Sequence, residues 1–170
     1  MKIEETLSLL ESAQMKHLFQ KLYGEAAVEE NKMRYEDLIK KFQTEFGDKD
    51  ILLFSSPGRT EISGNHTDHN YGKVLAGSIN LDCVGVAAKN KSNCINIVSE
   101  TFHQSFTIDL NRLEPSERMA GTVDLVKGLL KGFLDSGFQV GGFDAYITSN
   151  VISAAGVSSS ASFEMLLCSI

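Results

Sequence analysis

The sequence predicts an α+β fold in which helices pack against a sheet of several strands. Three features support this class. Apolar residues recur at helical spacing before Gly47, short apolar runs bounded by turn residues follow from Ile51, and helical spacing returns after Val123. Because helices and strands do not alternate one by one, we expect a mixed or antiparallel sheet rather than repeated βαβ units.

The first fifty residues are expected to form a helical lead-in. Two helical patterns are recognised by apolar residues on one side, and each is followed by a glycine that can end a helix. The first pattern comprises Leu7, Leu10, Leu18 and Leu22 before Gly24, and the second comprises Tyr35, Leu38, Ile39, Phe42 and Phe46 before Gly47.

Strands are predicted from Ile51 onward, separated by turn residues such as those at 90–93. A polar, glycine-rich loop is expected at 56–72, a helix at 123–134 that stops before Gly137, a small-residue loop at 153–156 and a last helix at 158–170. The predicted strands are 51–55, 74–79, 83–88, 95–99, 105–108 and 143–148.

Length and composition limit the classes of protein. A chain of 170 residues makes one domain or the front half of a two-domain protein, and 42% apolar residues are enough for a core. The net charge of −6, from 16 basic and 22 acidic residues, argues against a nucleic-acid partner and against an anionic membrane surface.

Cysteine usage and the amino terminus indicate a reduced, cytoplasmic location. Cys83, Cys94 and Cys168 have no paired spacing, so neither a disulfide framework nor a zinc knuckle is predicted. The acidic start lacks the basic and apolar regions of a signal peptide, and apolar runs such as Ile51–Phe54 are too short for a membrane span.

The last helix ends in the middle of an apolar stripe. Phe163, Leu166, Leu167 and Ile170 share one side, and no glycine, basic turn or polar tail follows them. We therefore expect that a larger protein continues beyond Ile170 and that its C-terminal domain is absent from this chain. An uncovered stripe of this kind would also favour self-association.

The segment 56–70 concentrates charged side chains after a predicted strand, where binding groups are common. His66 and Asp68 supply donors and acceptors suited to vicinal sugar hydroxyls. Arg59 is a permanent cation that can offset charge on a phosphoryl group or lower the pKa of a carboxyl group. Two alternatives stay open, namely a metal site at 66–69, for which no third ligand is evident, and a structural turn capped by Asp68.

The segment 154–162 is a run of small residues that leads into a helix. The first N–H groups of a helix lack internal partners and its N-terminus is electropositive, so this position attracts phosphate. Serine hydroxyls can add donors or a magnesium ligand. No Walker motif occurs in the chain, and a plain helix N-cap remains the alternative.

Together the two segments resemble a known family. The first is similar to the galactokinase signature P-G-R-x-N-x-I-G-E-H-x-D-Y, and the second to the phosphate loop P-x-G-x-G-L-S-S-S-A-S of the same kinases. These belong to the GHMP superfamily, and the resemblance spans about residues 40–164. It implies a GHMP-kinase N-terminal domain (ribosomal protein S5 domain 2-like) over 1–170, with the lead-in at about 1–50.

The resemblance implies a reaction and its cofactors. The parent protein would transfer the γ-phosphoryl group of ATP, with Mg²⁺, to the anomeric hydroxyl of galactose or a related hexose. Arg59 matches the arginine that stabilises the transition state, while the catalytic aspartate would lie beyond Ile170. For that reason the 170-residue chain alone is expected to be inactive.

The resemblance also assigns binding residues. The sugar-binding stretch corresponds to Asn65, His66, Thr67 and Asp68. The ATP-binding positions correspond to Ala154, Ala155, Gly156, Val157, Ser158, Ser159 and Ser160, with Ser160 as the magnesium-linked serine and Ser99 as a further nucleotide-side position.

Several residues depart from the family pattern. Glu61 stands in place of an asparagine, His69 of a tyrosine and Asn65 of a glutamate, while Ile152 and Ala154 replace a proline and a glycine of the phosphate loop. Alternatives therefore remain: a non-catalytic regulator that binds sugar and nucleotide, a GHMP kinase for another small alcohol, and an unrelated α+β domain.

Overall fold

The computed structural model describes residues 1–64, 67, 70–114, 121–152 and 156–170. Within these ranges lie five α-helices, five strands and a short 3₁₀ turn at Glu25–Ala27. The helices are α1 (Ile3–Leu10), α2 (Ala13–Tyr23), α3 (Val28–Phe46), α4 (Thr122–Asp135) and α5 (Ser159–Ser169). The strands are β1 (Leu52–Ser63), β2 (Leu75–Lys89), β3 (Cys94–Ser99), β4 (Gln104–Asp109) and β5 (Phe143–Ser149).

The five strands form one sheet in the order β1-β2-β5-β3-β4. Neighbouring strands run antiparallel, except for β3 and β5, which are parallel. The sheet is therefore mixed, and the predicted α+β class is confirmed.

Helices cover both faces of the sheet. Val84 and Val86 of β2 are fully buried in a core formed with α1, α2 and α3. Cys83 and Ala87 are buried in a second core, which includes residues of α4 and α5. Since successive side chains of a strand point to opposite faces, β2 contributes to both cores, and its part from Cys83 to Ala88 is a continuous apolar run.

The first predicted helix is divided in two. The Ser12 hydroxyl accepts a hydrogen bond from the backbone N–H of Met15 at 3.2 Å and starts α2 as an N-cap. Both predicted stops are confirmed, because α2 ends at Gly24 and α3 at Gly47, each with φ above +80°.

The division corrects the apolar stripe predicted for the lead-in. Leu18 and Leu22 are 42% and 44% exposed, whereas Phe19 and Tyr23 are 1% and 7% exposed. The break at Ser12 resets the helical phase, so in α2 the residues that face the core lie one position later than predicted, whereas Leu10 of α1 is buried as predicted.

Two predicted boundaries in the sheet are also wrong. The stretch expected to be a loop from residue 56 instead continues β1 as far as Ser63, and the predicted strands 74–79 and 83–88 are one strand, β2. The two long strands pair over most of their length, and their register shifts between Pro57 and Arg59. Cross-strand pairing thus extends strand structure into a polar sequence.

The apolar stripe of α5 is covered by the protein itself. Phe163, Leu166 and Leu167 are 4%, 0% and 8% exposed and belong to the second core. The expectation of an uncovered stripe was therefore wrong, and self-association loses that support.

Across the described ranges, no helix has both the length and the apolar character required to cross a membrane.

Candidate functional site

Strand β1 brings the first predicted segment into contact with the second. The backbone N–H of Arg59 donates to the carbonyl oxygen of Val157 at 3.2 Å. One turn into α5, the buried hydroxyl of Ser162 donates to the carbonyl oxygen of Ser56 at 2.7 Å. These two hydrogen bonds hold the start of α5, together with Val157 and Ser158 just before it, against β1.

Gly58 allows this close approach. A Cβ atom at this position would lie 3.0 Å from the carbonyl oxygen of Val157 and 3.1 Å from side-chain carbons of Ile79 and Val151. Such distances are tighter than ordinary van der Waals contacts, so any larger residue would push the two segments apart.

The side chain of Arg59 points to the surface beside an acidic neighbour. Its Nη2 atom lies 3.0 Å from Oε1 of Glu61, and its side chain is 49% exposed. The two residues share one side of β1 because side chains at i and i+2 point the same way. Glu61 therefore offsets part of the positive charge that Arg59 presents.

The residues before α5 have an unusual backbone conformation. Gly156 and Ser158 have φ values of +73° and +60°, in the left-handed region that most residues avoid. Ser158 is the N-cap of α5 and makes no side-chain capping bond. The Ser158 side chain thus accepts no hydrogen bond from the first N–H groups of this helix. An anion site at a helix N-terminus requires N–H groups that are not already capped in this way.

Ser160 lies in the first turn of α5 and is exposed. Its hydroxyl donates to Oε1 of Glu164 at 3.1 Å. A hydroxyl and a carboxylate on one helix face supply the hard oxygen donors that Mg²⁺ prefers. The pair therefore offers two oxygen atoms of the type that such an ion takes as ligands.

Ser99 lies at the end of β3, near the same region. It is 3% exposed, and its hydroxyl has no hydrogen-bond partner among the described residues. The following turn is tied to β5 by a 2.8 Å hydrogen bond from the N–H of Ser149 to the hydroxyl of Thr101. The structure thus places the end of β3 beside the strand that leads into the second segment.

Within the predicted sugar-binding stretch 65–68, the structure describes Thr67. Asn65, His66, Asp68 and His69, as well as Ala154 and Ala155, lie outside the described residues. Thr67 is described, and its hydroxyl donates to the carbonyl oxygen of Gly64 at 2.7 Å while its own carbonyl accepts from the N–H of Gly72 at 2.8 Å. These two bonds close a loop between β1 and β2.

The described residues contain no group of three His, Cys, Asp or Glu side chains suited to a metal ion. The possible ligands of the alternative metal site at 66–69, namely His66, Asp68 and His69, lie outside the described residues.

The three cysteines are free, and burial raises the pKa of the Cys83 thiol to about 12. A thiol with so high a pKa is a poor nucleophile at neutral pH.

Sequence reasoning missed a buried polar cluster next to the site. Asp82 of β2 is 3% exposed, lies opposite Pro57 and forms an ion pair of 2.7 Å with Arg34 of α3. The sequence did contain a signal for this cluster, because Asp82 is the single acidic residue in the otherwise apolar run from Leu81 to Ala88. A carboxylate in a buried strand needs polar or charged partners.

Comparison with known proteins finds relatives that match most of the chain. Residues 40–89 match the model of the galactokinase galactose-binding signature. The chain is 34% identical over 137 residues to a galactokinase of Clostridium tetani, covering 81% of this chain and 35% of the relative. It is 35% identical to a galactokinase of Lactococcus lactis, covering 82% of this chain and 36% of the relative. The chain thus spans about a third of the length of these curated relatives.

Solved structures show the same relationship. A galactokinase of Lactococcus lactis complexed with galactose matches with a TM-score of 0.69 and 33% identity, over 75% of this chain and 34% of that structure. A mevalonate kinase of Methanococcus jannaschii matches with a TM-score of 0.57 at 18% identity, over 69% of this chain and 38% of that structure, and shows the shared fold alone. Residues 40–89 therefore carry the galactokinase galactose-binding signature, and 75% of the chain shares its fold with part of a solved galactokinase.

Proposed function

We propose that this chain is the N-terminal part of a sugar kinase that transfers the γ-phosphoryl group of ATP to the anomeric hydroxyl of galactose or a related hexose. The observation that carries the proposal is the contact between the two motif segments, through the bond from the Arg59 N–H to the Val157 carbonyl. A phosphoryl-transfer site needs sugar and phosphate groups held side by side, and catalysis depends mainly on their positions and on charge.

The proposed roles follow the order of the segments. Residues 65–68 would bind the sugar, the stretch 154–160 would bind the ATP phosphates, and Ser99 would lie on the nucleotide side. The open space beside Gly156 supports phosphate binding, because among the described residues no atom beyond its chain neighbours lies within 4 Å of the place a Cβ would occupy. Bound Mg²⁺ would offset phosphate charge, with Ser160 as its protein ligand.

Arg59 would stabilise charge on the transferred group and on the aspartate that accepts the sugar proton. We propose that this aspartate and the remaining phosphate contacts would lie beyond Ile170; the chain spans about a third of the length of its relatives. We propose that residues 1–170 form an N-terminal GHMP-kinase-like domain with a helical lead-in at about 1–50, completed by a C-terminal domain. The cytoplasmic location stays a prediction.

A ligand-dependent thermal shift tests the binding part of the proposal. A ligand that binds only the folded state adds RT ln(1 + [L]/Kd) to stability, about 2.7 kcal/mol at a hundredfold excess over Kd. We expect galactose and Mg-ATP, but not mevalonate, to raise the Tm of the 170-residue chain or of a longer chain that includes it. Stabilisation by mevalonate alone would indicate a different alcohol as the substrate.

Turnover should require the longer chain. We expect no galactose-dependent ADP formation by the 170-residue chain, since in the proposed kinase the proton acceptor would lie beyond Ile170. Measurable turnover by this chain would contradict the proposed division of the site.

One observation favours a second candidate, a non-catalytic regulator that binds sugar and nucleotide. Glu61 engages the guanidinium group that catalysis would need. In a longer chain, binding of galactose and Mg-ATP without any ADP formation would favour the regulator, whereas turnover that is lost in Arg59→Ala would favour the kinase.

A further inference from the structure

A cluster of buried and partly buried hydrogen bonds borders the candidate site at Pro57 and includes residues of the helical lead-in. The carboxylate of Asp82 accepts from the hydroxyls of Tyr23 and Ser55, each at 2.5 Å, and from Nη1 of Arg34 at 2.7 Å. The hydroxyl of Tyr23 also lies 2.9 Å from that of Tyr35. Four elements (α2, α3, β1 and β2) therefore meet at a single carboxylate.

The pKa values of both tyrosines in the cluster lie above the ordinary value for a phenol. Burial, together with neighbouring Tyr35 and Asp82, raises the pKa of Tyr23, and burial with Asp82 raises the pKa of Tyr35 to about 12. Both phenols thus remain neutral donors at physiological pH, and Arg34 supplies the positive charge that a buried carboxylate needs.

Stability alone is a weak explanation for such a cluster. Buried ion pairs often contribute little net stability compared with apolar residues of similar volume. Here the cluster is also incompletely paired, since Nε of Arg34 is buried without a hydrogen-bond partner among the described atoms. What the cluster does provide is a defined position for Asp82.

The backbone of Asp82 lies between the two strands that lead to the site. On one side it is paired with Pro57, the last partner on β1 before the register shifts at Gly58. On the other side its carbonyl oxygen accepts from the N–H of Asn150, at 2.9 Å, directly after β5. The chain then runs from Asn150 to the second segment, where Val157 accepts from Arg59.

We propose that Asp82, held by Arg34 and Tyr23, is a positioning residue that sets the two backbones carrying Arg59 and the phosphate-binding segment. The functional side of this inference rests on the proposed kinase function. Asp82 itself touches none of the reacting groups, and its effect passes through the N–H of Asn150 and the strand partner Pro57.

Amide hydrogen exchange on the 170-residue chain tests the positioning directly, without substrate. In Asp82→Asn the buried charge is removed at nearly constant shape, and Arg34 loses its ionic partner. We expect the exchange rates of the Arg59 and Asn150 amides to rise at least about tenfold more than the loss of global stability alone would produce. The reason is that the carbonyl oxygens that accept from these amides become less firmly held.

Asp144→Asn is the matched control. Asp144 is 2% exposed, pairs with Lys49 and accepts from Asn90 and Asn96, but it lies at the opposite end of β5 from Ser149. We expect this variant to accelerate exchange at the amide of Asn90, which donates to the carbonyl of Gly142 at 3.0 Å, and to leave Arg59 protected.

Tyr23→Phe is a milder second variant, should Asp82→Asn fail to fold. It removes one donor to Asp82 and is expected to act in the same direction at Arg59 and Asn150. Two results would overturn the inference. One is that Asp82→Asn and Asp144→Asn accelerate exchange at the Arg59 amide equally at matched stability. The other is that exchange at Arg59 is unchanged in both Asp82→Asn and Tyr23→Phe.

Kinetics in a longer, active chain add the functional readout. We expect Tyr23→Phe to lower kcat several-fold with little change in the KM for galactose, and Asp144→Asn to change neither. Exchange at Arg59 decides the positioning role even where no galactose turnover is found, so failure of the proposed function and failure of this inference remain distinguishable.

Discussion

Glu61 controls how much of the Arg59 charge is available to a ligand. The two side chains form an exposed ion pair at 3.0 Å, and such pairs contribute about 0–1 kcal/mol to folding. The pair therefore matters more for the electrostatics of the site than for stability.

We expect Glu61→Asn to leave the Tm nearly unchanged and to tighten binding of Mg-ATP several-fold, because an anionic neighbour of the guanidinium group is removed. Calorimetric titration at two salt concentrations measures the effect, which should weaken at high salt. Asp135→Asn, which breaks the exposed pair with Lys131 on α4, is the control and should not change the affinity. Weaker nucleotide binding in Glu61→Asn would show that Glu61 supports the site.

The contact between β1 and the segment before α5 depends on Gly58. Adding a Cβ would bring it within 3.1 Å of three groups, one of which is the backbone carbonyl of Val157. Backbone cannot move aside as a flexible side chain can, so the strand and the segment have to separate.

We expect Gly58→Ala to lower the free energy of unfolding by about 1–3 kcal/mol and to weaken Mg-ATP binding. Gly77→Ala is the matched control on the neighbouring strand, because no atom lies within 4 Å of its added Cβ. Urea unfolding of both variants measures the difference. Equal stability of the two would mean that the close approach at Gly58 relaxes without cost.

Asp144 connects the loop after α3 to the centre of the sheet. Burial raises the pKa of its carboxyl group, but hydrogen bonds from Asn96, Lys49 and Asn90 outweigh burial and leave the pKa below its usual range. Because the folded-state pKa is depressed, the charged form stabilises the fold above the unfolded pKa of roughly 3.9, and this stability is lost as pH falls through the lower, folded pKa.

We expect wild type to be more stable than Asp144→Asn by a constant amount above about pH 5, with the difference shrinking as the pH falls below 4. Urea unfolding from pH 3 to pH 7 measures this difference. A gap between the two proteins that does not change with pH would show that the charge of Asp144 contributes nothing and that only its hydrogen bonds matter.

The periodic features of the sequence were sufficient to predict which segments form helices, which form strands, and where several helices end. Helical and alternating patterns, together with Gly24 and Gly47, are local signals, and local conformational preference acts over a few residues. The same holds for Arg59 and for the serines before α5, which are recognisable from their order along the chain. The roles assigned to them remain predictions.

The tertiary structure decided which of these residues meet. The bond between Ser162 and Ser56 joins residues 106 positions apart, and the Arg34–Asp82 pair joins residues 48 apart. Such contacts depend on the order β1-β2-β5-β3-β4, which no local pattern encodes. The same long-range packing buried the stripe of α5 and extended β1 through the polar motif, because strand pairing and burial are collective and outweigh weak local preference.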